Sequence, residues 1–243
     1  MTMMTSPGQT TLIDRDKAGS PATLQVDVIA DLICPWCYLG KRRLDDALSA
    51  VHGPSLVSWY PFQINPAMPS SGMSLDEYLD KRFGSAEKLQ PAMDEITRMG
   101  KTAGINFNFD KLERIPNTLD AHRLMKLAET EEISTSDLAE NILRGFFESG
   151  LDIADRDVLI DIGSDSGLSP TEITEMLDND LSRRVVLSQE AQVRQSGVTG
   201  VPDFLINKRL FAIGAQSTES LVNIFDRAMF GEESDLPVSP IVH

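Results

Sequence analysis

Two cysteines, and only two, occur among the 243 residues, and they stand together as Cys34-Pro35-Trp36-Cys37. An apolar, strand-like run, Thr23 to Ile33, leads into them, and a helical pattern begins at Tyr38. Two residues between cysteines at a helix start bring both sulfurs within bonding reach, which points first to a reversible dithiol and disulfide. From Cys37 onward Gly40, Leu44, Ala47, Leu48 and Val51 recur at helical spacing as one apolar stripe, with Lys41, Arg42, Asp45 and Asp46 on the other side. Cys37 therefore belongs to the buried face. Cys34 lies a turn earlier, where unpaired backbone N–H groups and about half a positive charge from the helix dipole favour a thiolate. That makes Cys34 the attacking sulfur and Cys37 the one that resolves a mixed disulfide. Two other readings of the pair remain: a zinc site and an inert pair of core thiols. A structural zinc site wants four ligands, and there is no second cysteine pair; His52, His122 and His243 are scattered. The expectation is no metal.

Charge and composition narrow the partners. With 37 acidic against 22 basic residues the net charge is −15, so the summed field repels phosphate backbones and anionic headgroups. Neither nucleic acid nor membrane is expected as a partner. A hydrophobic content of 41% suffices for a sizeable core in one large domain or a small domain with an insertion. Met1 to Ala22 is polar and lacks the apolar core of a secretory signal, so it reads as a flexible tail and the expected location is cytoplasmic. In that compartment lasting structural disulfides are rare and a Cys-x-x-Cys pair is more often catalytic or redox-sensing.

Along the chain, Leu24 to Ile33 reads as a buried strand interrupted by Asp27 and Asp31. Asp27 either points to a solvated edge or lies partly buried near the cysteines and tunes proton transfer. His52-Gly53-Pro54 closes the first helix and Leu56 to Ile64 resumes as a strand, giving a right-handed βαβ unit. From Ser74 to about Gln195 helix signatures dominate. Ser74 with Glu77 forms a capping box, as does Ser169 with Glu172 behind Pro170; Gly84, Gly104, Gly150 and Gly167 fall where helices should stop. Leu138, Ile142, Leu143, Phe146 and Phe147 form an apolar helix face for core packing, and Ile105 to Phe109 alternates like a short extended connector. Gly197 to Ile206, a turn at Asn207-Lys208 and Arg209 to Ile213 read as a hairpin. Ser217 then caps a last helix with Leu221, Ile224, Phe225, Ala228 and Met229 inward. The order is βαβ, a long helical segment, then ββα.

Three segments together carry a resemblance: Asp31-Leu32-Ile33-Cys34-Pro35-Trp36-Cys37-Tyr38-Leu39-Gly40; Pro116-Asn117-Thr118 leading into Ala121-His122-Arg123; and Gly197-Val198-Thr199-Gly200-Val201-Pro202. The pattern resembles the FrnE-like branch of the DsbA family of thioredoxin-fold oxidoreductases, over about Leu24 to Phe230. The resemblance implies an α/β chain, a thioredoxin fold interrupted by a large all-helical insertion. Residues 23–66 and 197–230 would form the discontinuous thioredoxin-like domain, 67–196 the insertion, and 1–22 and 231–243 flexible tails. It implies thiol-disulfide oxidoreductase or isomerase activity with Cys34 and Cys37 as the redox pair and Val201-Pro202 as a cis-proline loop facing them. A cis bond there would turn Val201's N–H and C=O toward an extended substrate strand. Pro35 and Trp36 join the substrate surface. Asn117, Thr118 and His122 either line the same groove or serve as helix caps and a core histidine. Some relatives carry further cysteines; this chain has none, so no second redox centre is expected.

In the expected reaction the Cys34 thiolate attacks a disulfide of a protein or small thiol partner and Cys37 displaces the released thiol; the reverse order reduces the partner. The helix start lowers the Cys34 pKa while the acidic field and Asp31 raise it, so the direction of the reaction stays open. No cofactor is expected beyond the redox-active disulfide itself, with glutathione as a candidate co-substrate. A rival reading is a glutathione-dependent isomerase or transferase of the kappa-class and hydroxychromene-carboxylate isomerase type, which typically has an activating serine where Cys34 stands. A third is a non-catalytic thioredoxin-like binding module. The surface of the helices between 74 and 195 also offers a homodimer interface.

Overall fold

The structure is a computed structural model and describes residues 23–84 and 88–230; the tails expected at 1–22 and 231–243 lie outside the described residues. Strand β1, Leu24–Ala30, runs into helix α1, Pro35–Ala50, and returns as β2, Ser55–Pro61, parallel to β1. The chain comes back after a long helical passage as β5, Asp203–Ile206, antiparallel to β1, and β6, Leu210–Ile213, followed by α9, Thr218–Phe230. Sheet order is β2-β1-β5-β6. This is the expected thioredoxin fold interrupted by a helical insertion.

Strand alternation decides which layer each residue joins. Val26, Val28, Phe204 and Ala212 point to one face of the sheet and pack with Leu44 and Ala47 of α1, Leu221 and Phe225 of α9, and both cysteines. Ile29 points to the other face and meets Phe62, Val193 and Val198. Between β2 and β5 come a two-stranded pair, β3 (Met73–Ser74) with β4 (Arg114–Ile115), and helices α2 (Leu75–Phe83), α3 (Gln90–Thr102), α4 (Leu119–Thr130), α5 (Thr135–Ser149), α6 (Arg156–Asp165), α7 (Pro170–Asp178) and α8 (Leu181–Gln195). Their core holds the expected Leu138, Ile142, Leu143, Phe146 and Phe147, and it reaches α1 through Tyr38 and Leu39. Helix α1 is thus buried on two sides.

That second side covers part of the polar face of α1. Lys41 lies on that face, as expected, and is buried, with its Nζ 2.5 Å from Asp45 and 3.1 Å from Glu140 of α5. Arg42 also pairs with Glu140, and the Tyr38 hydroxyl sits between Glu140 and Glu148. Strand ends differ from the apolar runs. β1 stops at Ala30 because the Asp31 carboxylate accepts the N–H groups of Leu32 (2.8 Å) and Ile64 (2.7 Å), which also draws Ile64 out of the expected second strand. β5 starts only after Pro202, which has no N–H for a ladder, so the segment from Gly197 to Val201 stays outside the hairpin. Asn207 and Lys208 take left-handed backbone, with φ of 47° and 56°, at the centre of a turn closed by the Arg209 N–H on the Ile206 carbonyl at 3.0 Å. Ser74 caps α2 through Glu77 N–H at 3.3 Å, whereas Ser169 makes no side-chain cap and leaves the start of α7 to Pro170.

Candidate active site

Helix α1 begins under the sulfurs. Cys34 is its N-cap residue, with extended backbone (φ −94°, ψ 115°), and Pro35 occupies the first helical turn, where its missing N–H is no loss. The Cys34 carbonyl accepts the N–H of Cys37 at 3.0 Å and of Tyr38 at 3.2 Å, so the first turn closes around the pair. Both sulfurs are free thiols. Cys37 is 2% exposed and Cys34 6%, while Trp36 between them projects outward at 36%. Burial pushes the Cys37 thiol well above its ordinary pKa; the neighbouring Cys34 sulfur and the charge of Asp31 push the same way, against a backbone bond at Asp31.

The proline loop stands opposite. The Val201-Pro202 bond is cis, and the Cys34 thiol points to the Val201 carbonyl oxygen with Sγ 3.8 Å away. Gly40 permits this approach from the helix side: a β-carbon at position 40 would stand 3.0 Å from Pro202 Cγ and 3.1 Å from the Phe204 ring. The structure therefore brings Cys34, Cys37, Val201 and Pro202 together across 167 residues of sequence separation, with Pro35 and Trp36 at the rim.

His122 is placed differently from a groove residue. It is buried on α4, and its Nε2 faces Asp31 Oδ1 at 3.4 Å without a hydrogen bond of good geometry. Asn117 and Thr118 serve the start of α4. Asn117 Oδ1 accepts Leu119 N–H at 2.9 Å, its amide donates to the Met68 carbonyl at 2.6 Å, and the Thr118 carbonyl accepts His122 N–H at 3.0 Å, with Thr118 itself buried. Asn117 therefore caps the start of α4, while the Thr118 side chain makes no cap bond. Asp27 does not approach the cysteines. Val26 and Val28 take the cysteine side of β1, so Asp27 points to the opposite face, beside a cavity of about 440 Å³ walled by Tyr60, Met125 and Lys126. Gly40 is a supporting residue that sequence reasoning left outside the site, and Asp31 one that it read only for its charge near Cys34. Asp31 carried one signal, a carboxylate at the end of an apolar run three residues before Cys34; Gly40 carried none beyond its place in the apolar stripe. Among the described residues, no three His, Cys, Asp or Glu side chains group as a metal ion would require, and no helix is long and apolar enough to cross a membrane.

A thioredoxin fold with a cysteine pair at its first helix start and a cis-proline loop facing it defines a class of redox proteins. The chain belongs to the DSBA-like thioredoxin domain family, which it matches over residues 25–226. A probable DsbA oxidoreductase from Streptomyces coelicolor is 26% identical, with a TM-score of 0.78 over 90% of this chain and 94% of that one. A 2-hydroxychromene-2-carboxylate isomerase shares the fold at 13% identity and a TM-score of 0.65, over 84% of this chain and 95% of that one. The cytosolic disulfide reductase DsbM from Pseudomonas aeruginosa, solved with GSH, shares it at 17% and 0.59, over the same shares of the two chains.

Proposed function

We propose that this chain is a thiol-disulfide oxidoreductase of the FrnE-like branch, working in the cytoplasm on a disulfide or thiol carried by a protein or a small thiol such as glutathione. Residues 23–66 and 197–230 supply the sulfurs and the proline loop, and the insertion 67–196 supplies His122. Cys34 attacks the substrate disulfide; the substrate's first sulfur leaves as a thiol, and a mixed disulfide joins Cys34 to the second. Cys37 then attacks Cys34, forms the Cys34–Cys37 bond and releases the second sulfur, so the substrate is reduced by two electrons and the enzyme oxidised. Read backward, the same steps oxidise a dithiol. Val201 offers its main chain, and Trp36 an apolar surface, to an extended substrate segment.

The observation that carries this reading is the Cys34 thiol at a helix N-cap, 3.8 Å from the Val201 carbonyl, with Cys37 buried one turn behind it. A helix N-terminus stabilises a thiolate, and a buried neighbour one turn on is placed to resolve an adduct. The test is turnover of a disulfide substrate, oxidised glutathione and a disulfide-bonded protein in parallel, by the wild type and by Cys34→Ser and Cys37→Ser. The expected result is no adduct with Cys34→Ser and a stable mixed disulfide with Cys37→Ser. An adduct that forms on Cys37 and not on Cys34 overturns the assignment. Partner binding that survives alkylation of both thiols, with no turnover by the wild type, would instead make the chain a binding module.

A further inference from the structure

The resolving step leaves a proton to be placed. In the mixed disulfide Cys37 is a thiol, buried, with the Asp31 charge nearby opposing its ionisation. Asp31 is fully buried and receives the backbone N–H groups of Leu32 and Ile64, one on each oxygen, so both oxygens act as acceptors. His122 presents Nε2 to Oδ1 of that carboxylate at 3.4 Å, and this nitrogen has no other partner. Two facing lone pairs would repel, so Nε2 carries a proton there, and the other ring nitrogen is the one left to take up a second. A neutral imidazole beside a buried carboxylate leaves that charge uncompensated; an imidazolium closes it into an ion pair.

We propose that His122 takes up a proton as Cys37 gives one up, with Asp31 as its buried counter-ion. The inference rests on the oxidoreductase reading above and adds to it the fate of the proton. Before the step the site holds Cys37–SH, anionic Asp31 and neutral His122; after it, a Cys37 thiolate, anionic Asp31 and the imidazolium. The net charge of the buried site is unchanged. The thiolate then attacks Cys34, the Cys34–substrate bond breaks, and its electron pair leaves on the substrate sulfur, which collects the proton from His122 by way of solvent. His122 acts through Asp31 and not on either sulfur directly, so it is a positioning residue for charge.

Other charged groups packed around the pair are already engaged. On α8, Glu190 accepts the N–H of Gln63 at 2.9 Å and binds Arg194 at 2.7 Å, next to the Ile64 N–H that Asp31 holds. On α4, Arg123 turns away to Asp120 and to carbonyls at the end of α7. On α1, Lys41 and Arg42 are paired with Glu140 of α5. His122 is thus the group on these elements whose unpartnered nitrogen meets the buried carboxylate.

The test uses reduced full-length protein and dithiobis(nitrobenzoic acid) as oxidant, followed by stopped flow across the neutral pH range. The first thionitrobenzoate anion reports attack by Cys34 and the second reports resolution by Cys37. His122→Gln keeps an N–H donor toward Asp31 and removes the titrating ring. The expected result is an unchanged first phase and a second phase slowed by about tenfold at neutral pH, with its pH dependence near neutrality lost. A second phase with wild-type rate and pH profile in His122→Gln overturns the proposal and leaves the oxidoreductase reading standing. A wild type that releases only one anion, as Cys37→Ser should, overturns that reading instead. Should His122→Gln not fold, NMR titration of the histidines in the wild type decides, with His52 and His243 assigned by substitution. A His122 titration that moves between dithiol and disulfide forms supports the proposal, and an identical titration in both overturns it.

Discussion

Gly40 lies against Pro202 so closely that a β-carbon at position 40 would stand 3.0 Å from the proline ring. The absence of a side chain on α1 is therefore what lets the loop carrying Val201 approach the Cys34 sulfur. Gly40→Val is expected to push that loop outward and to destabilise the protein by about 1–3 kcal/mol, as overpacking in a tight core does. The informative comparison is between melting temperature and exchange rate. Gly40→Ala, which needs only a few tenths of an ångström of give, should retain near-wild-type stability yet slow exchange with a peptide disulfide more than with a small one. Equal slowing of both substrates would show that the loop does not position an extended chain.

Both cysteines are buried, and it is the raised pKa of the Cys37 thiol that predicts unequal alkylation. Cys37 is buried with its thiol pushed up by burial and by Cys34, while Cys34 occupies the helix N-cap. Limited treatment of the reduced protein with iodoacetamide at neutral pH should modify Cys34 alone, with Cys37 reacting only after denaturation. Peptide mass spectrometry reads the order directly, and modification of Cys37 first would contradict the assigned roles.

What the sequence made legible was local. The Cys34–Cys37 spacing, the capping at Ser74 and Ser217, the Asn207-Lys208 turn and the apolar face of α5 each depend on residues a few positions apart, so periodicity and turn chemistry reveal them. The Asp31–His122 contact joins a strand end to a helix 91 positions later, and Gly40 meets Pro202 across the whole insertion; neither has a local signature. The burial of Lys41 was not legible for the same reason, since a helix period identifies one apolar stripe and says nothing of a second helix arriving with a carboxylate to cover the polar side.

That carboxylate gives a stability prediction. Burial raises the Glu140 pKa, but Lys41, the Tyr38 hydroxyl and Arg42 more than offset it and hold the group below the usual glutamate value. A depressed folded-state pKa contributes stability that is present above the unfolded value and lost as pH falls through the folded one. Glu140→Gln is therefore expected to be destabilised by roughly 2–4 kcal/mol at neutral pH, because it leaves Lys41 buried with Asp45 alone, and the difference should shrink in acid. Urea denaturation at several pH values checks this. In Lys41→Met the deficit of the added Glu140→Gln should be smaller, a coupling of about 1–3 kcal/mol in a double-mutant cycle.

Asp203 works in the opposite sense. It follows Pro202, pairs across the sheet with Ile29 and Ile213, and is buried with one long bond from the Gly214 N–H at 3.4 Å to its carboxylate. Burial pushes its pKa up to about 6 from 3.8, the backbone bond only partly opposing the rise. The folded state thus binds a proton more tightly than the unfolded one, so stability falls as pH rises between those two values and levels off above them. Asp203→Asn keeps an oxygen for Gly214 and removes the buried charge. It should stabilise the protein by about 1–3 kcal/mol at pH 7 to 8, since each tenfold difference in proton affinity between the folded and unfolded states is worth about 1.4 kcal/mol, and the gain should vanish below about pH 4. Thermal melts of the two proteins across that range provide the check: a gain that persists undiminished in acid would mean that the asparagine acts through packing or hydrogen bonding and not through relief of a buried carboxylate.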